Sequence, residues 1–372
     1  MSIVLVTLGW LFGTLLLTLA ILLSMNGKFL PALPLLVVAL LVLPPVRDYA
    51  QNLTGKSVPV WGRAILIVVL LVGYLAASVM PIITAKSIYA TPDAEEQFMA
   101  IYDAKMGQWP TEYKDVYVET SYGTVHVIVS GPEDAPPMLL LNASEMSGWS
   151  WLYNVGELNT RYRTYAIDTL GEVGKSRLND TFNFPMDGKA LADFYVEITD
   201  ALGIQKAYVV GASFGGFIAT NYALHYPERV GAVALLGPMG VTPATNRTVM
   251  RIMLTAIVPV RPFQVSTTNW ATGDDPYVRA ETSEWFLMVM TDATPKKAPP
   301  VTFTPEQLQR MDVPVLLIIG SEDNLTGDPE GVKELAMNIP AVQIEVLESG
   351  HLIGIEHAER SNELMMDFFM DN

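Results

Sequence analysis

The chain has 372 residues, half of them hydrophobic, with no cysteine and 39 acidic against 23 basic side chains. Its formal charge of −16 disfavours nucleic acid as a partner, and the missing cysteine excludes disulfides and a thiol nucleophile. The charge is split unevenly: residues 1–88 carry a net +4, which leaves −20 on the rest. That acidic part is expected to stand off an anionic lipid surface.

Apolar residues concentrate at the front. The stretch 3–23 is uncharged and long enough to span a bilayer as a helix. The stretch 30–46 is shorter and interrupted by Pro31, Pro34, Pro44 and Pro45, so a re-entrant hairpin is its alternative; 64–83 is again free of charge. A cleaved signal peptide would account only for the first stretch, which lacks a basic head and a small-x-small cleavage site. Residues 1–86 are therefore read as a membrane region of three transmembrane helices, in a multi-pass cell-membrane protein with the lipid bilayer as partner. Between the second and third stretches, Arg47, Lys56 and Arg63 stand against Asp48 alone. The positive-inside rule puts that loop in the cytoplasm and the C-terminal domain outside.

Residues 87–112 read as a linker with one packing helix, because Phe98, Ile101, Tyr102 and Met106 fall at i, i+3, i+4 and i+8. The strand expected at 137–141 ends in Asn142-Ala143-Ser144, a loop whose backbone N–H groups could face a developing negative charge. Ser144 is the expected donor there and Ala143 the alternate; alanine at 143 would be awkward if that position needed positive φ. Trp149 and Trp151 follow closely and are candidates for a substrate pocket or for packing. Gly171-Glu-Val-Gly-Lys175-Ser176 imitates the end of a phosphate-binding loop, but Thr169 stands where that motif needs glycine. It reads instead as the loop after a strand at 165–167.

The run Ala207-Tyr-Val-Val-Gly211-Ala-Ser213-Phe-Gly215-Gly is the sequence form of a nucleophile elbow: a short apolar strand, a tight turn bearing serine, then a helix up to Pro227. A serine hydroxyl needs a neighbouring imidazole to take its proton. Of the four histidines, His351 sits on a loop at the C-terminal end of the β-type run 342–347, the sheet edge where functional residues gather. His126 lies mid-strand and reads as sheet covering, His225 lies at a helix end, and His357 within a helix. The acid is expected at Asp323, just past the buried run 313–320 and 28 residues before His351. Glu322 and Asp328 compete with it, whereas the preceding strand ends in Gly237-Pro238-Met239 without a carboxylate. About 75 residues separate Leu236 from Val313, too many for one crossover, so a cap is expected at about 240–305. Its large apolar groups, Trp285 among them, either make its own core or line the pocket with Met239.

These residues resemble the α/β-hydrolase superfamily, and within it bacterial carboxylesterases of the carboxylesterase NP type, which hydrolyse arylpropionate esters. The similar stretches are Gly123-Thr-Val-His-Val-Ile-Val-Ser-Gly-Pro-Glu-Asp-Ala-Pro-Pro137 and Tyr162-Arg-Thr-Tyr-Ala-Ile-Asp-Thr-Leu-Gly-Glu-Val-Gly-Lys-Ser176, with Pro227-Glu-Arg-Val230 and Ser349-Gly-His351. The likeness runs from about Glu95 to the C-terminus. It implies Ser213 as nucleophile, Asp323 as acid and His351 as base, and Asn142-Ala143 departs from that family's His-Gly. The expected fold class is α/β: a doubly wound, mostly parallel sheet over 113–372 with a helical cap, preceded by the membrane helices. The expected activity is ester hydrolysis through an acyl-enzyme, with the oxyanion held by the N–H groups of Phe214 and Ser144. No metal or organic cofactor is implied, and the partner is a small apolar ester. An acyltransferase, a cofactor-free haloperoxidase and a catalytically silent binding module remain alternatives.

Overall fold

The apolar runs of the C-terminal part pair into one nine-stranded sheet among the described residues, in the order β1-β2-β4-β3-β6-β7-β8-β9 with β5 beside β2. The strands are β1 (Tyr113–Glu119), β2 (Gly123–Ser130), β3 (Pro137–Leu141), β4 (Arg163–Ile167), β5 (Arg177–Leu178), β6 (Ala207–Ala212), β7 (Val230–Leu236), β8 (Val315–Gly320) and β9 (Val342–Leu347). The computed structural model describes residues 3–25, 29–54, 59–84, 87–241, 245–258, 260–326 and 328–372. They fall into two compact units, one of 1–85 with 252–264, the other of 86–251 with 265–372.

Strands β1, β2 and β5 pair antiparallel at one side, and everything from β4 to β9 is parallel. Period-two alternation sends Leu139, Leu141 and Val209 to one apolar cluster, and Met138, Leu140 and Val210 to the other. Both faces are buried, which is why these strands read as unbroken apolar runs. The register aligns Leu141 with Gly211, Gly211 with Leu235, and Leu236 with Ile318. The loops after β3, β6, β7 and β8 therefore open at one edge, where the site lies.

The helix Pro92–Met106 starts at Thr91, whose hydroxyl accepts from the Ala94 amide at 3.1 Å, and it buries Phe98, Tyr102 and Met106. Phe98 meets Trp285 edge-on at 5.1 Å. The packing stripe read from the sequence is thus a seam of the second unit.

The first unit changes the reading of the N-terminal region. Its helices run Ile3–Met25, Phe29–Val42, Pro44–Thr54 and Val60–Thr84. The second expected span is cut after 14 residues, about 21 Å of helix against a hydrocarbon core of about 30 Å. Pro44 and Pro45 open a separate helix instead, at the position where a missing N–H costs least. Side chains are described without interruption only over 7–21 of the first long helix and 64–74 of the last. Among the described residues no helix is long and apolar enough to cross a membrane, so three spans are not shown by this fold. The unit's small core joins Ala20, Leu23, Ala32, Leu35 and Tyr74 to Val260. Residues 252–264, expected within the cap, fall in this first unit.

Candidate active site

Between β6 and the helix Phe214–His225, Ser213 adopts φ 49° and ψ −111°. That strained corner is possible only with glycine on either side. A Cβ on Gly211 would lie 2.4 Å from the Gly215 carbonyl oxygen, and one on Gly215 2.0 Å from that of Leu141. The corner is held from both flanks: the Ser213 amide donates to the Leu236 carbonyl at 2.9 Å, and the Met239 amide donates to the Ser213 carbonyl at 2.9 Å.

The serine hydroxyl donates to Nε2 of His351 at 2.8 Å, and Nδ1–H of His351 donates to the Asp323 carboxylate at 2.7 Å. The aspartate is itself oriented, accepting from the Leu325 amide at 2.8 Å. Ser213, His351 and Asp323 are all buried. Burial alone would push the imidazole pKa down, but the Asp323 charge and hydrogen bond outweigh it, and the net direction is up. Burial would likewise raise the Asp323 carboxyl, yet His351 and the Thr326 and Leu325 donors hold it below its usual value. With Nδ1–H committed to Asp323, Nε2 is the nitrogen left to receive a proton from the serine.

The competing residues stand elsewhere. Glu322 is exposed, and Asp328 caps the helix Pro329–Ala336 by accepting from the Glu330 amide at 3.1 Å. His357 donates from Nε2 to the Glu348 carbonyl at 2.9 Å. His126 is fully buried between two carboxylates, Asp168 at 2.9 Å and Asp115 at 2.7 Å, so it is a strut inside the domain and more than sheet covering.

The loop after β3 answers the conformational question raised by Ala143. Positive φ falls on Glu145, at 64°, and not on Ala143. Asn142 organises the turn by donating to the carbonyls of Ala143 at 3.0 Å and Met146 at 2.8 Å. Its own carbonyl accepts from the Gly215 amide at 3.1 Å, which ties the loop to the serine corner. Among the described residues, no group accepts from the amides of Phe214 or Ser144.

A pocket opens on Ser213 and His351, lined by Ala143, Met146, Trp151, Leu236, Leu352 and Ile355, with Ser150 and Asn154 as its other polar members. Of Trp149, Trp151, Met239 and Trp285, Trp151 alone is in its lining. Trp149 and Trp285 pack edge-on at 5.4 Å, and the Trp285 indole N–H donates to the Glu145 carbonyl at 2.7 Å. Met239 packs against the cluster on the opposite face of the sheet. The indoles of Trp149 and Trp285 act as a brace under the Asn142–Met146 loop.

Two residues went unnoticed in the sequence: Glu172, fully buried in the loop after β4, and Lys297. The ion pair was invisible because 125 residues separate its members. The false phosphate loop around Glu172 is used internally. The Lys175 amide donates to Asp168 at 2.7 Å, and the Ser176 hydroxyl to the Asp168 carbonyl at 2.7 Å.

Comparison with known proteins agrees with this architecture. The family described as α/β hydrolase fold matches residues 136–255. The carboxylesterase nap of Bacillus subtilis (strain 168), itself uncharacterised, is 30% identical over 295 residues, spanning 77% of this chain and 96% of its own. Carboxylesterase YbfK of the same strain is 27% identical over 288 residues, with 75% and 96% covered. The crystal structure of naproxen esterase (carboxylesterase NP) from Bacillus subtilis aligns with a TM-score of 0.69 at 29% identity, covering 75% of this chain and 99% of that one. The chain belongs to the α/β-hydrolase superfamily, close to the naproxen esterase-like carboxylesterases. Its activity class is that of a carboxylesterase-type hydrolase.

Proposed function

We propose that Ser213, His351 and Asp323 form the catalytic triad of an esterase that works through an acyl-enzyme. The observation that carries this reading is the unbroken relay of 2.8 and 2.7 Å from serine to imidazole to carboxylate. Ser213 Oγ attacks the ester carbonyl as Nε2 of His351 takes its proton, and Asp323 steadies the imidazolium that forms. The carbonyl oxygen gathers negative charge and is met by the N–H groups of Phe214 and Ser144. When the tetrahedral intermediate collapses, His351 returns the proton to the leaving alkoxide and the alcohol departs. Water, deprotonated by the same nitrogen, then attacks the acyl carbonyl, and the carboxylic acid leaves Ser213 regenerated. The apolar lining of Met146, Trp151, Leu236, Leu352 and Ile355 favours an uncharged, apolar ester.

The first unit is proposed to hold this enzyme to a lipid bilayer, with the hydrolase domain extracytoplasmic. Support comes from the uncharged 23-residue helix Ile3–Met25 and from exposed apolar side chains such as Trp10, Leu11, Phe12, Trp61 and Val68. The extracytoplasmic placement rests on the basic residues Arg47, Lys56 and Arg63 before Val60–Thr84. It does not depend on the short second helix.

The deciding experiment is labelling with a fluorophosphonate probe that cannot cross membranes, on intact and on lysed cells, with Ser213→Ala as control. Ser213-dependent labelling of intact cells is expected. Labelling only after lysis would reverse the sidedness, and none in either would remove the triad reading.

A further inference from the structure

The loop that carries Ser144 is gripped by an ion pair between a buried carboxylate and a partly exposed ammonium. Glu172 is completely enclosed; its Oε1 accepts from Lys297 Nζ at 2.9 Å and from the Ser144 hydroxyl at 3.1 Å. Its Oε2 has no hydrogen-bond partner among the described residues. An enclosed carboxylate in that state is stable only while its cation stays in place. The Lys297 ammonium touches four groups: Glu172, the Ser144 hydroxyl, the Glu145 carboxylate at 3.7 Å, and the Phe214 ring face at 5.5 Å. Burial would pull the Lys297 pKa down, but Glu172 and Glu145 outweigh it and keep the ammonium charged.

Ser144 and Phe214 are the two residues whose amides are proposed to bind the oxyanion, and one cation contacts the side chains of both. The strap that delivers Lys297 is anchored next door, where the Lys296 amide donates to the Gly171 carbonyl at 2.7 Å. Gly171 leaves no room for slippage, since a Cβ there would sit 2.1 Å from the Lys296 carbonyl oxygen. On the serine-hydrolase reading above, we infer that Glu172 and Lys297 are positioning residues that pre-set the oxyanion-binding amides of Ser144 and Phe214. Neither reaches the substrate. They act by fixing two donors whose placement matters on the scale of an ångström, where a misplacement of about 1 Å costs on the order of 100-fold in rate.

The test compares wild type with Lys297→Met, Glu172→Gln and Ser144→Ala. The readouts are kcat and KM on a short p-nitrophenyl ester, inhibition by a trifluoromethyl ketone, and thermal melting. A trifluoromethyl ketone adds to Ser213 and places an oxyanion in the hole, so its affinity reports the donors directly. For Lys297→Met, kcat should fall by roughly 10- to 100-fold with KM within about threefold, and ketone affinity should fall by the same factor as kcat/KM. Ser144→Ala, which keeps the ion pair, should show a smaller loss of the same pattern. Folded Lys297→Met with unchanged kcat and ketone affinity would overturn the inference, even if its melting temperature dropped. Should Lys297→Met fail to fold, Glu172→Gln and Ser144→Ala decide: normal kcat and ketone affinity in both would also overturn it. Failure of the parent reading looks different, because wild type would then show no Ser213-dependent hydrolysis at all.

Discussion

Two aspartate–histidine pairs are buried among the described residues of this domain, and their surroundings differ. His351 meets Asp323 through Nδ1 at 2.7 Å, and His126 meets Asp168 through Nδ1 at 2.9 Å. The difference lies at the other nitrogen. Nε2 of His351 faces the Ser213 hydroxyl, which can give up a proton, whereas Nε2 of His126 faces the Asp115 carboxylate, which can only accept one. Carboxylates facing both nitrogens of an imidazole favour its protonated form. Burial pulls the His126 pKa down, but Asp168 and then Asp115 outweigh it, so the net direction is up. His126 thereby ties β1 and β2 to the loop after β4, while Nε2 of His351 is left facing the Ser213 hydroxyl. An Asp–His contact is therefore no signature of catalysis by itself; the partner of the second nitrogen decides.

The sharpest break of this comparison exchanges the roles in the test tube. Ser213→Ala and His351→Ala should each lower kcat by about 10⁴-fold or more in folded protein. His126→Gln should leave kcat within a few-fold, and a folded His126→Gln protein without turnover would sink the distinction. Next in size, Asp323→Asn should cost about 10³- to 10⁴-fold in kcat, because the amide no longer selects the productive tautomer.

The strut should show in stability instead. Asp168 also accepts from the Gly148 and Lys175 amides, each at 2.7 Å, so Asp168→Asn should lower unfolding free energy by about 3 kcal/mol by denaturant titration. Asp115 is partly exposed, and Asp115→Asn should cost less than about 1 kcal/mol. The pH dependences of the two histidines separate as well. In the proposed triad His351 must be neutral to act, and its pKa is raised, so kcat/KM should rise with pH through a midpoint above about 6.5. A midpoint clearly below that value would contradict the Asp323 contact. His126 contributes stability fully below its unfolded value of about 6.5 and loses that contribution as pH climbs through its raised folded value. The stability gap between wild type and His126→Gln should therefore narrow toward alkaline pH.

Much of the site was legible because its parts are local. The apolar run 313–320 ends in Asp323 and the run 342–347 leads to His351, and both observations need only strand length and edge position. The pocket was legible only in part: Trp151 faces it, while Trp149 packs on Trp285, whose indole N–H is taken by the Glu145 carbonyl. The second apolar stretch was misjudged in the other direction. Hydropathy averages over Pro44 and Pro45, whereas the backbone ends one helix before them and begins another.

The sequence by itself determined the serine corner, since only the Gly211-x-Ser213-x-Gly215 spacing lets φ turn positive at Ser213 with carbonyl oxygens pressed against both glycines. It also determined the buried parallel strands after which Asp323 and His351 fall, because strand length and side-chain period are short-range properties. Tertiary structure alone decided that Ser144, Glu172 and Lys297 meet, and that His126 is clamped while His351 is free to accept a proton. The first outcome depends on contacts across 125 and 153 residues of chain and the second on contacts across up to 138, where only packing assigns partners.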